Sequence, residues 1–190
     1  MIIKNYKKNN YTPNYIKYIS DRNIFEAIKE RISLGINGST VIVPHVCNNI
    51  NLFGAGFAAA VADYYPEVKA NYHLLGSNMK LGHTQFIPVK KDKTYDHEII
   101  FANMIAQNGT INTKNNARPL NYAALVQCML NIKAYIQQLN KLDKNRIEIH
   151  APKFGSGLAG GNWGFITELM QDVWPDIDIS VYTIRSNTKK

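Results

Sequence analysis

The chain has 190 residues, enough for one buried core and few for two, and its 45% hydrophobic and 19% charged composition excludes a disordered tail. Its net charge of +8 favours polyanionic partners such as nucleotides, nucleic acid or acidic surfaces. Cys47 and Cys128 are far apart and fit neither a disulfide framework nor a zinc ligand set, so a reducing, cytoplasmic interior is expected.

Residues 1–14 read as an irregular N-terminal extension of a single domain spanning 1–190. Met1 to Asn10 is rich in Lys and Asn with no apolar segment behind it, and no run reaches the roughly 18 apolar residues of a membrane span, so neither secretion nor membrane insertion is expected. After Pro13, the residues Tyr15, Ile16, Tyr18 and Ile19 offer a first strand. From Ile24 to Leu34 the apolar residues recur at helical spacing, and Gly35 is a plausible stop. Thr40 to Val43 is short, β-branched and continuously apolar, as suits a strand buried on both faces.

A long loop follows, then a helix through Phe57 to Ala62 that should end before Pro66. Glu98 to Ala106 predicts a strand, Leu120 to Leu139 a long helix, and Arg146 to Ala151 another strand. A loop, a helix from Trp163 to Val173 and a strand from Ile177 to Ile184 complete the chain. This alternation predicts a three-layer α/β/α sandwich around a mainly parallel or mixed sheet.

Open α/β sheets bind ligands where strands end in loops at their carboxyl edge. Two loops fit by position and composition. Pro44 to Phe57 contains Gly54-Ala55-Gly56 ahead of a helix, and Lys153 to Trp163 contains Gly155, Gly157, Gly160 and Gly161 ahead of another. Glycines there let backbone amides approach a ligand, and two such cradles suit a diphosphate held from both sides. Neither the dinucleotide fingerprint nor a P-loop is present.

The segments His45 to Ala58 with Tyr65-Pro66, Met104-Ile105-Ala106-Gln107, and Ile149 to Trp163 resemble the macrodomain family, in order and spacing from about Tyr15 to Ile184. The resemblance implies an ADP-ribose cleft. It would place Asn48, Asn49, Gly54, Ala55, Gly56 and Phe57 on the distal ribose and part of the diphosphate. Gly155, Ser156, Gly157 and Leu158 would wrap the phosphates, and Asp21 would contact adenine.

Within the family, Ala62, Asp63 and Ala159 stand where one branch carries a lysine and an aspartate, so that lysine mechanism is not expected. The resemblance is closest to the compact phosphatase-like branch, which acts on ADP-ribose 1″-phosphate. It implies His45 as the catalytic group, serving as acid, base or nucleophile. Asn162 occupies the aspartate position of a Gly-Gly-Asp-Trp pattern, and it keeps the hydrogen-bonding shape without the exchangeable proton.

Three functions are therefore weighed: hydrolysis at the distal ribose, a non-catalytic binder of ADP-ribose or another NAD-derived nucleotide, and a nucleic-acid binder. A de-ADP-ribosylating glycohydrolase is a variant of the first, with an ADP-ribosylated protein or nucleic acid as its partner. Gln107 and Asn108 end a predicted strand and could reach the cleft or cap a turn. His73, His83, His97 and His150 lack metal-ligand spacing, so neither metal nor cofactor is expected.

Overall fold

The computed structural model describes residues 16–33, 39–92, 97–111, 118–142 and 146–183. Strand β1 (Lys17–Ser20) leads to α1 (Ile24–Ser33), and β2 (Ser39–Asn48) leads to α2 (Phe57–Tyr64) and α3 (Pro66–His73). A hairpin of β3 (Thr84–Asp92) and β4 (His97–Gln107) follows, then α4 (Tyr122–Leu142), β5 (Arg146–Pro152), α5 (Trp163–Val173) and β6 (Asp178–Thr183). The strands form one sheet in the order β1-β6-β5-β2-β4-β3, parallel throughout except for the antiparallel β3–β4 pair.

Apolar residues on alternate positions of the central strands face opposite layers, as strand geometry requires. Ile42, Ile100, Met104 and Ile149 face a core shared with Leu125 and Met129 of α4 and Ile166 and Met170 of α5. Val41, Val43, Phe101 and Ile105 face the other core, shared with Phe25 and Ile28 of α1, Val61 of α2 and Tyr72 of α3. This is the expected α/β/α sandwich with a mixed sheet. The predicted positions of Leu34, Gly35 and Ile184, and residues 1–14, lie outside the described residues.

Pro66 does end α2, but it also occupies the first turn of α3, where its missing amide has no helical partner to lose. Helix α3 and strand β3 have no counterpart in the sequence reading. Strand β3 is an edge strand, where Pro88 is tolerated because its outer side has no ladder to break.

Strand β2 is longer than the apolar run Thr40–Val43. Its ladder with β5 ends at Ile42↔Ile149, while its ladder with β4 continues to Asn48↔Gln107. Pro44 falls in this one-sided stretch, where a strand best accepts proline. Past Ile42 the chain therefore parts from β5. Connections from β2 run toward β4 and β3, whereas those from β5 run toward β6, which makes this gap the switch point of the sheet.

Helix α1 is locked to the sheet by a buried polar network. Arg31 meets both carboxylate oxygens of Glu148 at 2.9 and 2.6 Å, His150 Nε2 lies 3.2 Å from Glu148, and His150 Nδ1 lies 2.9 Å from the Tyr182 hydroxyl. The hydrogen bond from His150, with Arg31 beside it, holds the Glu148 carboxyl down to about 2.

Candidate functional site

Where β2 and β5 part, a cleft of about 510 Å³ opens at the carboxyl edge of the sheet. One wall is the loop after β2, the opposite wall is the loop after β5, and the residues following β4 close one end.

Asn48 shapes the first wall from within. Its Oδ1 accepts the amides of Ile50 and Leu52 at 3.0 and 3.1 Å, and the Tyr72 hydroxyl donates to its carbonyl at 2.7 Å. Asn49 reaches sideways instead, donating to Asn108 Oδ1 at 3.1 Å and accepting the Gly109 amide at 2.8 Å. Both asparagines brace loops with the side chains that were expected on a ligand. Asn48 still borders the cleft, and Asn49 does not.

The second wall is stitched shut on itself. The Gly161 amide donates to the Gly155 carbonyl at 2.8 Å and the Gly160 amide to the Gly157 carbonyl at 2.9 Å, while Leu120 N binds the Ala159 carbonyl at 3.0 Å. Gly155 has φ +74° and Gly56 has φ +57°, conformations that favour glycine. A Cβ on Gly161 would meet the Leu120 side chain and stand 2.7 Å from the Gly155 carbonyl oxygen, so only glycine fits there.

The two walls nearly touch at Gly56, where a Cβ would lie 3.5 Å from a methyl of Leu158. Among the described residues, no acceptor meets the amides of Gly54, Ala55, Gly56, Gly157 or Leu158, all of which border the cleft. No carboxylate lines it, and Lys153 is its one cation among those residues. Unbonded amides on both walls, without negative charge in the lining, suit an anion.

His45 borders the cleft from below, 1% exposed, with its ring edge-on to Phe53, Phe57 and Phe101. Burial lowers its pKa from 6.5 to about 4, so the imidazole is neutral near pH 7. Cys47, whose thiol burial keeps protonated, has its Sγ 3.6 Å from His45 Nδ1. Neither His45 Nε2 nor Oδ1 of Asn103, its cross-strand neighbour, has a hydrogen-bond partner, and Asn103 beside the ring partly offsets the effect of burial.

Phe57, Gly155, Gly157 and Leu158 line the cleft; Asp21, Ser156 and Asn162 do not. The Ser156 hydroxyl donates to the Lys153 carbonyl at 2.9 Å. Asn162 caps α5, its Oδ1 accepting the Phe165 amide at 3.1 Å. Asp21 lies at the carboxyl end of β1 with φ +58°, its amide bound to the Thr183 carbonyl of β6 at 2.7 Å. Leu52, Thr110, Ile111 and Lys153 also line the cleft and were not singled out from sequence. The strand-end rule could have found Thr110 and Ile111, which follow β4 directly.

No described helix is long and apolar enough to cross a membrane, and no cluster of potential metal ligands occurs among the described residues. No family model and no curated protein matches the sequence. Solved structures do match. A Bacteroides thetaiotaomicron protein is similar with 22% identity and a TM-score of 0.68, over 88% of this chain and 99% of that one. A macrodomain protein from Streptomyces coelicolor matches with 25% identity and a TM-score of 0.63, over 89% and 99% of the two chains. The Thermosipho africanus DarTG structure in complex with ADP-ribose matches with 14% identity and a TM-score of 0.57, over 87% of this chain and 52% of that one.

Proposed function

We propose that this chain, which has the macrodomain fold, binds ADP-ribose or a close derivative in the cleft between its two glycine-rich loops. The observation that carries this reading is the set of five amides without an acceptor among the described residues, on residues of both cleft walls. They suit a diphosphate, which presents acceptor oxygens to both sides. In the pose the family resemblance implies, adenine lies toward β6 and β1, where Asp21 stands, and the distal ribose rests against the loop after β2. The ADP-ribose complex of the similar Thermosipho protein supports the same ligand class.

Calorimetry on the wild type and on Gly54→Val tests this. A Cβ on Gly54 meets nothing within 4 Å, so the added side chain starts in open space beside the cleft. Saturable binding of ADP-ribose that weakens at least about tenfold in the variant supports the reading. A folded wild type that binds no ADP-ribose contradicts it.

Hydrolysis of ADP-ribose 1″-phosphate, with His45 as the catalytic group, ranks second. The place of His45 in the cleft lining supports it. Two features favour binding over catalysis: the imidazole is packed among three aromatic rings, and Asn162 spends its side chain on a helix cap. Phosphate release lost in His45→Ala would restore the phosphatase reading. A glycohydrolase acting on an ADP-ribosylated protein or nucleic acid would use the same cleft, and the net charge of +8 would help it dock the latter. Both cysteines are free and buried, which supports a reducing, cytoplasmic setting.

A further inference from the structure

A polar row crosses the sheet face that also carries Val43, Phe101 and Ile105. His45 of β2 is paired in register with Asn103 of β4, and Asn103 with Gln85 of β3. Asn103 Nδ2 donates to Gln85 Oε1 at 3.0 Å, and Gln85 Nε2 donates to the Asn71 carbonyl of α3 at 2.9 Å. His45 and Asn103 are 1% and 0% exposed, yet His45 Nε2 and Asn103 Oδ1 are left without a partner. Burying two such atoms unpaired is costly, and pairing them with each other removes both costs.

The row has one direction, set at its outer end. A backbone carbonyl only accepts, so the Gln85 atom facing Asn71 is its NH2 group and the atom facing Asn103 is its oxygen. That oxygen only accepts in turn, so Asn103 gives its NH2 group to Gln85 and keeps its own oxygen for His45. Burial lowers the His45 pKa and Asn103 raises it, the direction an acceptor beside the ring produces. The other ring nitrogen, Nδ1, lies 3.6 Å from Sγ of Cys47, whose buried thiol keeps its proton and is a donor.

We infer that Asn103 and Gln85 are positioning residues for His45: Asn103 Oδ1 takes the hydrogen bond from the Nε2 proton, which fixes one tautomer and leaves a lone pair on Nδ1. Cys47 lines the cleft and stands two residues further along β2 toward its carboxyl end, whereas Asn103 and Gln85 do not line it. Nδ1 is therefore the nitrogen on the cleft side. Toward a bound molecule, the neutral ring can act as acceptor, base or nucleophile through Nδ1, and the role of proton donor is closed to it. The assignment concerns the protein alone and stands whichever ligand the cleft takes.

Nitrogen-15 spectra of the imidazole rings, recorded at pH 7 on the full chain labelled at histidine, test it directly, with His45→Gln identifying the His45 signals. In the wild type Nε2 carries the proton and Nδ1 carries none. Asn103→Leu removes the acceptor and lowers the ratio of the Nε2-protonated to the Nδ1-protonated form about tenfold, the effect of one hydrogen bond. Gln85→Leu, at a half-buried position, frees the Asn103 amide to turn and lowers the ratio in the same direction. Circular dichroism establishes that each variant is folded, and Gln85→Leu decides alone if Asn103→Leu is not. A proton on Nδ1 in the wild type, a mixture of the two forms there, or a ratio that a folded variant leaves unchanged overturns the inference. None of these outcomes touches the ADP-ribose reading, which calorimetry tests separately.

Discussion

Asn162 accepts the Phe165 amide as the cap of α5, so its loss should be felt in stability rather than in the cleft. Asn162→Ala should lower unfolding free energy by about 1 kcal/mol in urea titration and leave ADP-ribose affinity unchanged, whereas Asn162→Asp should restore the cap. His45 makes a different prediction. Its pKa falls from 6.5 to about 4 on folding, so between those values the unfolded chain binds more protons than the native one. Its contribution is complete above the unfolded pKa and is lost as pH falls through that window. Urea midpoints at pH 7 and 4.5 should therefore show the wild type losing more stability than His45→Leu, by about 2 kcal/mol. The motif around these residues was legible in the sequence, but their partners were not. The Asn162 hydroxyl-free amide side chain looks the same in a sequence whether it faces a substrate or the Phe165 amide, and burial of His45 depends on aromatic rings from α2 and β4.

At the scale of elements, α1 depends on Glu148. Removing that carboxylate in Glu148→Ala leaves Arg31 half-buried without its bidentate partner and should cost about 3 kcal/mol by chemical denaturation. In the wild type the same carboxylate, depressed from 4.5 to about 2, contributes fully above 4.5 and ceases to stabilise as pH drops through 2. The loop after β5 should be as intolerant of change. Gly161→Ala places a methyl against the Gly155 carbonyl and should lower both thermal stability and ADP-ribose affinity, read by calorimetry. Helix α5 was legible to the residue because its apolar spacing is regular and Val173 ends the run before Pro175. Helix α3 was not, since Val68 and Tyr72 alone form its buried face. Strand β3 was hidden by Pro88 and its lysines, features that belong to a sheet edge.

For the whole molecule, the sheet order places the two glycine-rich loops on either side of the gap between β2 and β5. Their composition could be read from sequence, and so could their place at strand ends; their facing each other, with Gly56 against Leu158, follows only from the crossovers that set β2 beside β5. The central claim is that amides from both loops hold one diphosphate. It is tested most directly by following backbone amide resonances of the isotope-labelled chain while ADP-ribose is added. Concerted shifts of Gly54, Ala55, Gly56, Gly157 and Leu158, saturating together, are the predicted result. Shifts confined to one loop, or none in either, would contradict it.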